Sequence, residues 1–354
     1  MDFAIKNIVI ATVIFGTILV IIFENRNPVK TIAWCMVLTF MPVIGLLLYI
    51  LFGMDNRHRR QIKDEDLSRL KGITEITQSD DILSEMPVPQ KPLADMLRKM
   101  NKSFLLSGND VEIITDFQTM SDRLIADIEG ARHHINMLFF KFEDDAAGRR
   151  IADALIRKSE EGVLVRLIYD DAGNLMVPRR FYRKLRKHGI QVRGFIRIFL
   201  PILSRDYNSR NHRKVVVIDG RVGYMGGMNI AQRYAEGLKW GIWRDTHMRI
   251  TGPAVSELQT SFLTDWKFTK GDEPDLAPMY PYNPPCGNTL MQIVTGGPMD
   301  KWNVMMQAYM TAIASARHHA YLQSPYFIPP EPIMKTLQNA ALSGVDVRVM
   351  TPYR

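Results

Sequence analysis

One block of sequence occurs twice along the chain, in the same order and register, and this duplication restricts the fold more than any other feature. Ala131-Arg132-His133-His134 ahead of an apolar stretch returns as Ala316-Arg317-His318-His319. Glu161-Gly162-Val163-Leu164-Val165-Arg166 returns as Ser343-Gly344-Val345-Asp346-Val347-Arg348. The two offsets, 185 and 182 residues, differ by a three-residue deletion. Within the first copy, apolar spacing predicts a helix over 116–131, a buried strand over 135–142, a helix over 146–161 and a strand over 163–169. That is βαβ grammar, so the chain is α/β with parallel strands flanked by helices. Two such units around a shared cleft build a pseudo-symmetric site. The paired histidines of the repeated block read as cations in the last turn of a helix, where they complement its dipole.

The N-terminus is of a different kind. Residues 5–23 and 32–53 approach or reach the roughly 20 apolar residues that cross a bilayer core. A cleaved signal peptide is the rival reading of the first, but Glu24-Asn25-Arg26 follows Phe23 without a small-residue cleavage site. The second stretch keeps Pro42 and Gly45, so it is expected to be kinked rather than broken. Arg57, Arg59, Arg60 and Lys63 crowd its exit, against Arg26 and Lys30 before it. The hairpin should therefore enter from the cytoplasm and leave everything after Met54 on that side. Lys and Arg outnumber Asp and Glu by 45 to 37, for a net charge of +8. This favours an anionic partner, either phospholipid headgroups or nucleic acid. With only Cys35 and Cys286, neither a disulfide framework nor a cysteine metal site is expected. Asp64 to Pro92 reads as a polar, Pro-punctuated linker.

Residues 210–229, RNHRKVVVIDGRVGYMGGMN, carry the chemistry. Lys214–Ile218 is expected to form a strand, Asp219-Gly220 a tight turn and Val222–Met225 the returning strand. Residues two apart on an extended chain share a face, so His212 and Lys214 project together and Arg213 projects opposite. A neutral imidazole beside an ammonium suits attack on a phosphodiester: one is the nucleophile, the other holds phosphate oxygens as charge develops. Asp219 is explained by the turn alone. Gly226-Gly227 lets backbone N–H groups approach an anion, and Asn229 adds an amide.

His212, Lys214, Asp219, Gly226, Gly227 and Asn229, in the spacing H-x-K-x4-D-x6-G-G-x-N, resemble the signature of the phospholipase D superfamily. Residues 27–34 and 42–53, residues 243–255 with Phe262, Asp265 and Trp266, and residues 323–327 resemble bacterial cardiolipin synthases. The resemblance implies a membrane hairpin (1–54), a cytosolic linker (55–108), a phospholipase-D-type αβ sandwich repeat (109–273) and a second, incomplete repeat (274–354). It implies transfer of a phosphatidyl group between two phosphatidylglycerol molecules through a phosphohistidine, without metal or cofactor, in a multi-pass bacterial inner-membrane protein with a cytoplasmic catalytic body. His212, Lys214 and Asp219 would then be catalytic, with Gly227 and Asn229 lining the phosphate pocket. Arg244, Asp245 and His247 either support the site or form a strand ion pair.

A phospholipase-D site normally uses two such motifs. The repeat offset puts the second histidine near position 394, past Arg354, so the chain reads as truncated and in need of a partner chain to supply the missing motif. The alternatives are an inactive, membrane-anchored lipid-binding remnant and a phosphodiesterase of the same superfamily. A role on nucleic acid is disfavoured by the membrane hairpin. Phosphatidylethanolamine or another alcohol could replace phosphatidylglycerol as acceptor.

Overall fold

The structure is a computed structural model that describes residues 2–23, 28–53, 70, 90–196, 210–239, 241–297 and 302–352. It divides into two compact units, Met1–Arg60 with Arg197–Arg210, and Gln61–Ile196 with Asn211–Arg354.

In the first unit, α1 spans Asp2–Phe23, α2 Pro28–Phe40 and α3 Pro42–Leu48, followed by a π-helical turn at Tyr49–Gly53. Buried Ile21, Leu38 and Tyr49 form its small core, with Trp34 meeting Tyr49 edge-on at 5.4 Å. The second apolar stretch is broken, not kinked. Proline disfavours a helical conformation in the residue before it, and Met41 sits at φ −131°, ψ 68°. Beyond the break α3 packs back on α2, where Gly45 lies so close that a Cβ would come within 2.7 Å of the Val37 carbonyl oxygen. Among the described residues no helix is long and apolar enough to cross a membrane. The uninterrupted apolar run of α1, from Ile8 to Phe23, reaches only about 24 Å at 1.5 Å per residue, against about 30 Å of hydrocarbon. The cations expected to set orientation, Arg26, Arg57, Arg59, Arg60 and Lys63, lie outside the described residues, as does most of the linker.

The second unit opens with α4 (Lys91–Asn101), β1 (Leu105–Ile114), α5 (Phe117–Glu129), β2 (His134–Phe139), α6 (Ala146–Glu160) and β3 (Leu164–Asp170). It continues through α7 (Arg179–Lys187), β4 (Gln191–Phe195), β5 (Val215–Ile218), β6 (Val222–Gly226), α8 (Gln232–Glu236), β7 (His247–Thr251), α9 (Val255–Phe268) and β8 (Thr289–Gln292). The strands form one eight-stranded sheet in the order β4-β3-β2-β5-β6-β7-β1-β8. Only β2, β3 and β4 run parallel, as the βαβ pattern requires; β5, β6 and β7 run antiparallel. One face packs under α5 and α6 through Met120, Leu124, Ile151 and Leu155, and the other under α9 through Val255, Leu258 and Phe262. Both α5 and α6 start on aspartate caps: Asp116 accepts from the Thr119 N–H and Asp145 from the Gly148 N–H.

The repeat is visible in the backbone. The chain ends in α10 (Val304–Ala314), β9 (His319–Gln323), α11 (Glu331–Leu342) and β10 (Asp346–Met350). β9 and β10 pair in parallel with His319 opposite Asp346, as β2 and β3 pair with His134 opposite Leu164. Gly162 and Gly344 occupy the same left-handed conformation, at φ 91° and 90°, after α6 and α11. The repeated histidines are not helix-terminal cations. α5 stops at Gly130 and α10 at Ser315, so His134 and His319 instead open the strands that follow. His134 is buried, and desolvation pushes its pKa down to about 4.

Candidate active site

β5 and β6 form the expected hairpin. Asp219 and Gly220 both take positive φ, 52° and 63°, as a tight turn of this hand requires. Lys214, just before β5, faces Gly226 by continuation of the register in which Val215 opposes Met225. Period-two alternation then sorts the side chains. Arg213 crosses to the α9 face, where one guanidinium nitrogen bonds both Asp265 oxygens at 2.7 and 2.6 Å. His212 and Lys214 go the other way and meet.

The Lys214 ammonium lies 3.2 Å from His212 Nδ1 and donates to the His212 carbonyl oxygen at 2.7 Å. The His212 ring packs on Phe140, with centroids 4.6 Å apart, and Lys214 Nζ sits 5.5 Å from the same ring. His212 is exposed at the rim, whereas Lys214 is 3 % exposed. Burial, then the Lys214 charge, lowers the His212 pKa from its ordinary value, partly offset by Asp245. Burial also brings Lys214 down to about 8, again offset by Asp245. The imidazole is thus uncharged and the ammonium charged near neutral pH.

The peptide that carries His212 is anchored on both sides. The Asp170 carboxylate, 1 % exposed at the end of β3, accepts from the Ala172 and Asn211 N–H groups, both at 2.9 Å. The Asn211 side chain accepts from the Arg213 N–H at 3.1 Å. Asn174 donates to the Phe140 carbonyl at 2.7 Å and accepts from the Phe142 N–H at 2.8 Å, which fixes the ring under His212. Sequence reasoning missed Phe140, Asp170 and Asn174. The signal available was a polar Asp-Asp-Ala-Gly-Asn cluster directly after a strand.

The structure does not bring Asp219 to this pair. It lies at the far end of β5, about 17 Å from Lys214 at roughly 3.4 Å per residue. There its carboxylate accepts three backbone N–H groups, from Arg132, His133 and His134, at 2.7, 2.8 and 2.9 Å. The motif's aspartate thus ties the hairpin turn to the start of β2. We expect Asp219→Ala to lower the unfolding free energy by about 2–4 kcal/mol, because three donors lose a charged acceptor and a left-handed residue loses its tolerance. A urea titration checks this, and the folded fraction should keep the same pH profile.

Both glycines lie in close contact with residues 245–247. A Cβ on Gly226 would lie 2.6 Å from the Thr246 carbonyl oxygen and 2.5 Å from His247 Cα, backbone that cannot yield. A Cβ on Gly227 would lie 2.0 Å from Asp245 Oδ1, a side chain that can. Asp245 is the carboxylate whose charge reaches both His212 and Lys214. Beneath Gly226, the His247 ring is fully buried, with neither nitrogen hydrogen-bonded among the described residues, and desolvation holds it near 3, uncharged. We expect Gly226→Ala to cost about 1–3 kcal/mol of stability. Gly227→Ala should leave the melting point nearly unchanged but slow turnover about tenfold by displacing Asp245. Asn229 is committed elsewhere: it accepts from the Lys141 N–H at 3.1 Å and donates to the Tyr234 hydroxyl at 2.9 Å. Arg244 forms no ion pair with Asp245 among the described residues. Nor, among them, do three His, Cys, Asp or Glu side chains converge to hold a metal ion.

Comparison with known proteins fits this geometry. The family profile described as "Cardiolipin synthase, PLD-like domain" matches residues 124–266, and that described as "Phospholipase_D-nuclease N-terminal" matches residues 12–53. The major cardiolipin synthase of Bacillus subtilis is 37 % identical over 99 % of this chain and 74 % of its own length. A cardiolipin synthase of Listeria monocytogenes is 38 % identical over 98 % of this chain and 74 % of its own. Among solved structures, the phosphatidylserine synthase of Haemophilus influenzae aligns at a TM-score of 0.52 and 15 % identity. That alignment covers 74 % of this chain and 66 % of the other, and the likeness is one of fold alone.

Proposed function

The chain belongs to the bacterial cardiolipin synthase family of the phospholipase D superfamily, and from that membership we propose that His212 carries a phosphatidyl group from one phosphatidylglycerol to another. The observation that carries this reading is the pairing of an exposed, uncharged imidazole with a buried ammonium 3.2 Å away.

In the first step an imidazole nitrogen bonds to phosphorus and the phosphorus–oxygen bond to glycerol breaks. Glycerol leaves with a proton. In the second step a hydroxyl of the acceptor phosphatidylglycerol attacks, gives up its proton, and the nitrogen–phosphorus bond breaks to yield cardiolipin. Lys214 holds the non-bridging oxygens in both transition states, where phosphate charge is greatest, inside a site that has already paid its desolvation. Phe140 and the Asp170–Asn211 anchor keep the imidazole from turning away. Gly227 belongs to the phosphate pocket through the room it leaves Asp245, and Asn229 through the Lys141 peptide it holds. Asp219 acts on the framework only. The proton that leaves with glycerol we assign to a second motif of the same kind, brought by a partner chain.

The exposed apolar surface of the N-terminal unit supports attachment to the membrane, and the sequence run of Arg57, Arg59, Arg60 and Lys63 supports a cytoplasmic catalytic body. Large apolar side chains cover the N-terminal unit, among them Phe23, 82 % exposed, and Phe40, 76 % exposed. The test is reconstitution in phosphatidylglycerol vesicles. Cardiolipin and free glycerol should appear in equal amounts. Glycerol or phosphatidic acid without cardiolipin would mean a hydrolase, and glycerol in excess of cardiolipin, with a new phosphatidyl ester of an added alcohol, would identify a different acceptor.

A further inference from the structure

The end of the sheet that holds His212 carries a surface that the chemistry above does not use. Asp170 closes β3 at that end, since its carboxylate bonds the Asn211 N–H. The loop that follows exposes two apolar side chains, Leu175 at 49 % and Met176 at 94 %. It runs directly into α7, whose sequence RRFYRKLRK is sharply divided. At 100° per residue, Phe181, Tyr182 and Leu185 fall on one buried stripe, and all six cations fall within an arc of roughly 160° on the other side. Lys184 pairs with Asp153 at 3.2 Å, and Arg186 donates to the Val192 carbonyl. Arg179, Arg180, Arg183 and Lys187 are exposed and make no ion pair among the described residues. Ile242, 87 % exposed, lies three residues before Asp245.

We propose that this end of the catalytic body docks on an anionic bilayer, with Leu175 and Met176 entering the headgroup region, Arg179 and Arg180 in the first turn of α7 meeting lipid phosphates, and Arg183 and Lys187, further along the same helix face, adding longer-range attraction. Four unpaired cations on one helix face would suit any polyanion. An apolar tip directly before them suits a lipid interface and would gain nothing from a nucleic-acid backbone. Because Asn174, in the same loop, fixes the Phe140 carbonyl, the docked loop is continuous with the support under His212. A substrate phosphate would then arrive from the membrane plane without its acyl chains leaving the bilayer. The docking rests on the phosphatidyl-transfer reading for its purpose. Its test reads depth rather than turnover, so either can fail alone.

The test uses the full chain in lipid nanodiscs, with Cys35→Ser, Cys286→Ser and Met176→Cys carrying an environment-sensitive dye. Discs of phosphatidylcholine are compared with discs containing one part phosphatidylglycerol in about three. The dye should be quenched by spin-labelled lipid in the anionic discs only, and quenching should fall at high salt. Each cation near an anionic surface strengthens association about fivefold, so changing all four to Gln should weaken association by up to roughly six-hundredfold. Changing the three arginines to Lys should preserve docking. Should the Gln variant misfold, the salt response and a Met176→Asp variant, read by amide exchange over 175–187, decide the matter. Equal quenching in both kinds of disc overturns the proposal. So does protection of α7 by an oligonucleotide but not by anionic lipid.

Discussion

Changing His212 to Ala is expected to lower cardiolipin formation by at least about 10⁴-fold while leaving the unfolding midpoint within experimental error. The size follows from removing a covalent nucleophile, which also removes the benefit of every group aligned on it. The neutrality in stability follows from position: the ring lies exposed at the rim, and among the described residues its polar contacts are with Lys214. Lys214 keeps its bond to the His212 carbonyl whatever side chain occupies position 212. A His212→Asn variant retaining more than about a tenth of the rate would show that the imidazole is not the atom that bonds phosphorus. Small-molecule imidazole should restore part of the activity of the alanine variant, since the cavity over Phe140 is left open.

Lys214 carries the second large effect, and it can be read through pH. Its pKa is lowered to about 8, so the ammonium loses its proton as pH rises through that value. His212 titrates below its ordinary 6.5, so it is protonated, and useless as a nucleophile, only on the acid side. The rate should therefore be flat between a limb below pH 6.5 and a limb near pH 8, and fall about tenfold per unit above the latter. Lys214→Met should cost about 10²–10³ in rate and abolish the alkaline limb while keeping the acid one. If the alkaline limb persists in that variant, another group is responsible for it.

Much of this was legible in the sequence. The Asp-Gly turn identified the β5–β6 hairpin, and period-two alternation correctly sent Arg213 away from His212 and Lys214. The doubled Arg-His-His and Gly-Val blocks revealed two βαβ units whose backbone registers agree. What escaped depended on register between segments distant in sequence. Nothing in the H-x-K-x4-D spacing reveals that Asp219 bonds the Arg132, His133 and His134 peptides, because those donors lie 85 or more positions away. The glycine pair invited an anion-binding reading, and the sequence did not show that β6 pairs with β7 and brings Asp245 and His247 against it. The histidines were assigned to a helix end because sequence patterns place such ends only to within a few residues. The break at Met41 needed the combined effect of Pro42 and the close approach at Gly45.

The central claim is that His212 forms a covalent bond to phosphorus. It is tested most directly with a phosphodiester whose leaving group, a nitrophenolate, departs without needing a proton. The account predicts a burst of up to one nitrophenolate per chain. It also predicts an acid-labile, base-stable phosphoryl adduct that peptide mapping places on His212 and that is absent from His212→Ala. An adduct on any other residue, or steady release of nitrophenolate with no adduct in a chain whose Lys214 and His212 are intact, would contradict it.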